Sequence, residues 1–265
     1  MARRRSESDP GPPIQVIERL GRILALFAEG PPEVSVRQVA AELDVSRPSV
    51  HRYLRALVAL GFLESTGPGR YRLGPLLVQL ANRALGSLEI LDRAGRYMRR
   101  LAEEAQETVV MSFWAGHGPV VVRVQECTTK LVGITVRVGA ALPLNSAQGR
   151  VFLAYLPDPF LVKELLARLS AGDRAELEAS LDEVRRTGIA VYSRVVAGIR
   201  TVAVPVFDRH GVIAATLAVV GTTAAIPEDP ESGLARALRE AAAELSRELG
   251  YPFGPHPELW RGEAH

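Results

Sequence analysis

VRQVAAELDVSRPSVHRYLRALVALGFL, Val36 to Leu63, reads as a helix, a tight turn and a second helix. In the first helix Val36, Val39, Ala40 and Leu43 recur at helical spacing, and Ser35 stands where an N-cap belongs. Asp44 and Val45 form the turn. Ser46 is placed to cap the second helix, where Pro48 is tolerated because first-turn N–H groups have no intrahelical partner. Val50, Tyr53, Leu54, Leu57 and Val58 define its apolar side, leaving Arg47, Pro48, Ser49, His51, Arg52 and Arg55 on the other. A helix of this design suits a major groove, with Arg47 and Ser49 in the first turn and Arg52 and Arg55 reaching bases or flanking phosphates. In isolation, an amphipathic helix with a solvated basic face has the same pattern, so the flanking sequence has to decide.

Upstream, Ile17, Leu20, Ile23, Leu24 and Phe27 mark a packing helix that Gly30, Pro31 and Pro32 stop. Downstream, Phe62 and Leu63 open a strand, Thr66 to Gly69 make a turn, and Tyr71 to Leu73 return with Arg70 and Arg72 pointing outward. Three helices and a hairpin make a winged helix-turn-helix. Its wing arginines are expected against the phosphate backbone, positioning the reader without carrying sequence information. Pro75 to Leu85 is a further amphipathic helix with more apolar surface than so small a domain can bury, which calls for a partner.

Composition bounds the rest. The 265 residues are 47% hydrophobic, enough for a sizeable core, and the net charge of +2 confines any nucleic-acid surface to a local patch. Cys127 is the single cysteine, so neither a disulfide framework nor a cysteine metal cluster is expected. There is no apolar span of membrane length, and a soluble, cytoplasmic protein with no membrane partner is expected. Arg3, Arg4 and Arg5 begin a polar arm over residues 1–13, expected to be disordered.

After a helix over Leu88–Ala105 the period becomes strand-like. VVMSFWA and VVVRVQE, joined by Gly116 to Pro119, make a hairpin, and LVGITVRVG (131–139) is expected to continue the sheet. Helices follow at 147–156, 161–169 and 174–187, then strands at 201–207 and 212–220, then a helix at about 231–248. This order implies an α+β domain built on an antiparallel sheet.

The run from Glu18, ERLGRILALFAEGPPEVSVRQVAAELDVSRPSVHRYLRALVALGFLESTGPGRYRLGPLL, resembles the N-terminal domain of the IclR family of bacterial transcription regulators. LPLNSAQGRVFLAYLP resembles that family's strand-to-helix loop and AGIRTVAVPVFDRHGVIAATLAVVG its closing hairpin, in the same order and at matching distances. The resemblance covers about residues 14–248. It implies a winged helix-turn-helix domain over 14–74, a linker and dimerisation helix over 75–87, a GAF-like effector-binding domain over 88–249, and a tail over 250–265. It further implies a homodimer or homotetramer, a repressor or activator, reading a palindromic double-stranded operator under the control of a small-molecule effector. The alternative is a constitutive DNA-binding protein whose second domain serves only oligomerisation or protein interaction. Pro48 departs from the family pattern, which opens the recognition helix with small hydroxyl residues.

The effector is expected between the sheet and the turn Asn145, Ser146, Ala147, Gln148 and Gly149, where a positive helix end favours a carboxylate or other acceptor. Trp114, Val122, Ile134, Ala203, Ala218 and Val220 are strand residues suited to line it, or to form plain core. The family's acidic run, cysteine and strand hydroxyls are replaced here by Val191, Tyr192, Ser193 and Arg194, by Thr201, and by Ala218 and Val220. Few polar handles remain, so an effector of low polarity, aromatic or terpenoid-like, is expected. His51, His117, His210, His256 and His265 show no metal-ligand spacing, and there is no Walker sequence, dinucleotide loop or nucleophile elbow. No enzyme activity, metal or cofactor is expected.

Overall fold

Ser35 and Gln38 cap one another: the serine hydroxyl accepts from the Gln38 N–H, and the Gln38 carboxamide oxygen accepts from the Ser35 N–H at 2.8 Å. This closed box starts the helix on which the first unit is built. The computed structural model describes residues 15–86, 89–127, 130 and 133–252. The arm expected over 1–13 and the tail beyond 252 lie outside them. The chain divides into two compact units, 1–87 and 88–265.

In the first unit α1 (Gln15–Glu29), α2 (Val36–Leu43) and α3 (Arg47–Ala59) surround Ile23, Val39, Val50, Leu54 and Leu63. Asp44 takes a left-handed conformation at the end of α2, which turns the chain into α3. The stripe of α1 centres on Ile23; Ile17, expected to belong to it, is exposed. A three-residue strand unanticipated from sequence, β1 (Glu33–Ser35), joins β2 (Leu63–Gly67) and β3 (Arg70–Leu73) in an antiparallel sheet of order β1-β3-β2. Helix α4 (Pro75–Gly86) starts directly after β3. Gly74 is required there, because a Cβ would collide with the Gly61 carbonyl, which instead accepts from the Leu76 N–H.

The second unit carries a five-stranded antiparallel sheet of order β5-β4-β8-β7-β6, from β4 (Thr108–Trp114), β5 (Pro119–Gln125), β6 (Ala190–Tyr192), β7 (Ile199–Phe207) and β8 (Ile213–Thr222). On one face α5 (Glu89–Ala105) and α9 (Gly233–Glu248) bury Val109, Met111, Val202, Val204, Leu217 and Val219. They are tied together by Tyr97 of α5, which donates to the Glu248 carboxylate at 2.5 Å. On the other face α6 (Ala147–Tyr155), α7 (Pro159–Ala167) and α8 (Ala171–Thr187) enclose Val151, Phe152, Leu177, Ala203 and Ala218.

The segment expected to extend the sheet does not form a strand over its described residues, 133–139. Gly139 has φ +85°, which ends any extended run, and only an isolated bridge joins Val120 to Ala141. The alternating apolar residues are buried differently: Ile134 and Val136 pack over Val110, Val121 and Val220, and the Ile134 carbonyl accepts from the Thr108 hydroxyl at 2.6 Å. No helix among the described residues is long and apolar enough to cross a membrane.

Candidate nucleic-acid interface and ligand site

Helix α3 presents Arg47, His51 and Arg55 along one line at four-residue spacing, with Arg52 beside them, and all four are exposed. Between Asp44 and Glu64 there is no carboxylate. None of the hydrogen bonds or ion pairs among the described residues engages Arg47, Arg52 or Arg55. Ser46 stands at the N-cap position, yet its hydroxyl makes no cap bond and lies 3.1 Å from the hydroxyl of the half-buried Ser49. The wing arginines are held differently. Arg72 donates through Nε and Nη2 to Glu64 at 2.9 and 2.7 Å, and Arg70 lies 3.6 Å from Glu33.

In the second unit, the sheet face beneath α6 gathers most of the expected ligand residues. Ala203 lies opposite both Ala218 and Ala190, and Thr201 opposite both Val220 and Tyr192. Ala147, Ala203 and Ala218 are fully buried and pack with Val151 and Phe152 as core. Val220 and Ile134 belong to the neighbouring cluster over Val110. Val122 does not join them: a bulge between Met111 and Ser112 turns it toward α5 and α9, on the opposite face.

The turn ahead of α6 is largely satisfied by its own chain. The Ser146 hydroxyl accepts from the Gly149 N–H at 3.1 Å and donates to the Pro143 carbonyl at 2.6 Å. Gly149 permits a close approach, but of the Pro143 and Leu144 carbonyls, which a Cβ would strike. The Asn145 carbonyl accepts from Arg150 Nε at 3.1 Å. Arg150, absent from the expected site, is buried; its guanidinium also pairs with Glu176 at 2.9 Å and stacks 4.0 Å from the Tyr192 ring centroid.

Between these satisfied groups lies a polar patch. Gln148 donates to the Ser112 hydroxyl at 2.9 Å, both residues being buried. Thr216 stands directly opposite Ser112 on β8, fully buried, and its hydroxyl has no hydrogen-bond partner. Trp114, two residues along β4 and packed with its ring tilted against Phe152 at 5.5 Å between centroids, buries an indole N–H that also has none. A polar atom left so costs about 1–3 kcal/mol. Ser112 and Thr216 were detectable as hydroxyls at alternating positions in otherwise apolar strands; Arg150 is visible within LPLNSAQGR only once α6 is placed against β6.

Residues 16–67 match the family described as the IclR helix-turn-helix domain, and residues 82–247 match the bacterial transcriptional regulator IclR C-terminal domain. The chain belongs to the IclR family of bacterial transcription regulators. It is 31% identical over 255 residues to the glycerol operon regulatory protein of Streptomyces griseus, spanning 89% of this chain and 97% of that one. The IclR-type regulator of Silicibacter sp. TM1040, a crystal structure, is superposable with a TM-score of 0.81 at 27% identity, covering 91% of this chain and 98% of the other. An IclR homologue from Microbacterium hydrocarbonoxydans, solved with 4-hydroxybenzoate, has TM-score 0.69 at 22% identity over 88% of this chain and 98% of its own; that likeness shows the fold. As an IclR-family member with this helix-turn-helix, the protein is a DNA-binding transcription regulator.

Proposed function

We propose that DNA binding by this regulator is controlled by a small molecule held beneath α6. The observation that carries the proposal is the pair of buried, partnerless polar atoms, Trp114 Nε1 and Thr216 Oγ1, flanking the Ser112–Gln148 hydrogen bond. A ligand oxygen accepting from the indole and bonded to the threonine would satisfy what the protein leaves unmade. The surrounding Phe152, Ala203 and Ala218 favour a ligand of low polarity, aromatic or terpenoid-like, attached through that oxygen. The 4-hydroxybenzoate carried by the Microbacterium homologue supports an aromatic ring in the ligand, while its carboxylate sets it apart from the low-polarity class.

On the output side Arg47, Ser49, His51, Arg52 and Arg55 read the major groove, while Arg70 and Arg72 lie toward phosphates. Leu80 of α4, 49% exposed, shares a helix face with Leu77 and the exposed Ala81, an apolar stripe suited to pairing two copies into a homodimer or homotetramer on a palindromic operator. Half-sites would then be about 10 bp apart or a multiple of that. The ligand signal would pass along α4 and α5, which are consecutive in the chain.

A thermal-shift screen of neutral aromatics, terpenoids and small acids tests the ligand reading. A compound that stabilises the wild type and no longer stabilises Trp114→Phe or Thr216→Val supports it. Binding confined to small polar acids, or undiminished in both variants, overturns it.

A further inference from the structure

The wing carries its own counter-charges. β3 is the central strand of its sheet, and its Arg72 faces Glu33 of β1 on one side and Glu64 of β2 on the other in direct cross-strand register. Tyr71 and Val34, the next rung, point into the core, so the Glu33–Arg72–Glu64 rung lies on the outer face. Arg70, two rungs nearer the turn and on the same outer face, reaches back diagonally to Glu33 at 3.6 Å. Both wing cations are therefore already paired, Arg72 through a two-nitrogen fork, whereas no ion pair among the described residues engages Arg47, Arg52 or Arg55 of α3.

We infer that Glu33 and Glu64 set the overall strength and salt dependence of DNA binding by competing with DNA phosphates for the wing arginines. The inference rests on the reading of the wing as a backbone contact. Phosphate contacts supply affinity without sequence information, and each cation that releases a DNA counterion adds about 0.9 to the salt slope. A wing arginine that must leave a carboxylate to meet a phosphate gains less from doing so, because the acid it leaves stays close to the DNA and repels it. The pairs are exposed and individually weak, yet their sign is fixed: they discount binding to every sequence alike. Readout by α3 is untouched, so affinity for operator and for random sequence falls by the same factor and their ratio stays the same.

The experiment compares the full-length wild type, the Glu33→Gln/Glu64→Gln double variant and the Arg70→Ala/Arg72→Ala double variant. The two probes are a random-sequence duplex and the tightest duplex selected by the wild type from a randomised library. Affinity is measured by fluorescence anisotropy over a series of salt concentrations. Glutamine keeps the shape and one acceptor oxygen of each glutamate while removing its charge, and a thermal melt of each variant confirms folding. The expected result for the glutamine variant is several-fold tighter binding to both duplexes, a salt slope steeper by about 1 to 2, and an unchanged preference for the selected duplex. An unchanged slope and affinity in the glutamine variant, with weakened binding in the arginine variant, overturns the competition while leaving the wing on the DNA. Unchanged binding in the arginine variant removes the wing from the interface, and the inference falls with it.

Discussion

Gln148, on the first turn of α6, donates its carboxamide to the hydroxyl of Ser112 in the middle of β4 at 2.9 Å, and both side chains are shielded from water. The bond fixes the start of α6 over the sheet at the point where the proposed ligand would sit. Ser112→Ala would strand the buried carboxamide, and the expected loss is on the order of 1–3 kcal/mol. For a unit of this size that lowers the melting temperature by roughly 2–4 °C per kcal/mol. Calorimetry checks this, and an unshifted melt would show that the carboxamide readily finds another partner.

Thr216 should behave in the opposite way. Its hydroxyl is buried without a partner, so Thr216→Val replaces an unmade hydrogen bond by a methyl group of the same shape. The ligand-free protein is expected to gain about 1 kcal/mol, read in urea melts. The same variant should respond less to any ligand that stabilises the wild type. A destabilised Thr216→Val protein would mean that the hydroxyl is satisfied in solution.

Much of this arrangement was legible in the chain. The cap at Ser35, the turn at Asp44 and the apolar stripe of α3 follow from local chemistry. The face of the sheet to which Ala203, Ala218 and Thr201 belong follows from the alternation of β7 and β8. What was not legible depends on contacts distant in sequence. Residues 131–139 alternate like a strand, but alternation says only that one side is buried; Ile134 and Val136 satisfy it by lying across Val110 and Val220. Val122 keeps its expected strand and loses its expected face to a single bulge. Strands of three residues such as β1 and β6 carry too little pattern to stand out, and without β1 the pairing of Arg70 with Glu33 is invisible.

Arg52 is expected to act differently from the wing. If it contacts a base edge, Arg52→Ala costs on the order of 1–3 kcal/mol in operator affinity and relaxes the preference at one base-pair position. Footprint titrations on operators varied one position at a time read both effects. Equal losses on every duplex would place Arg52 on the backbone.

Tyr155, at the end of α6, donates to the Val184 carbonyl at 3.1 Å and packs edge-on against Phe207. Burial pushes its phenol from 10.0 up to about 12, with nearby Arg185 opposing the rise and Tyr251 adding to it. The folded protein therefore holds this proton more tightly than the unfolded chain. The contribution is fully present below pH 10 and is lost as pH rises through about 12, on the order of 2 kcal/mol across that window. Urea melts between pH 9 and 12 should show the decline in wild type and a shallower one in Tyr155→Phe. Parallel curves would place the phenol in contact with water.

The central claim is that occupancy beneath α6 and occupancy of the operator are linked. The most direct measurement takes a compound that stabilises the wild type but not Trp114→Phe, and determines operator Kd with and without it, and compound Kd with and without operator. Linkage requires the two ratios to be equal and different from one, and that is the predicted result. An operator Kd unmoved by saturating compound would contradict the account and leave the second unit a partner in assembly alone.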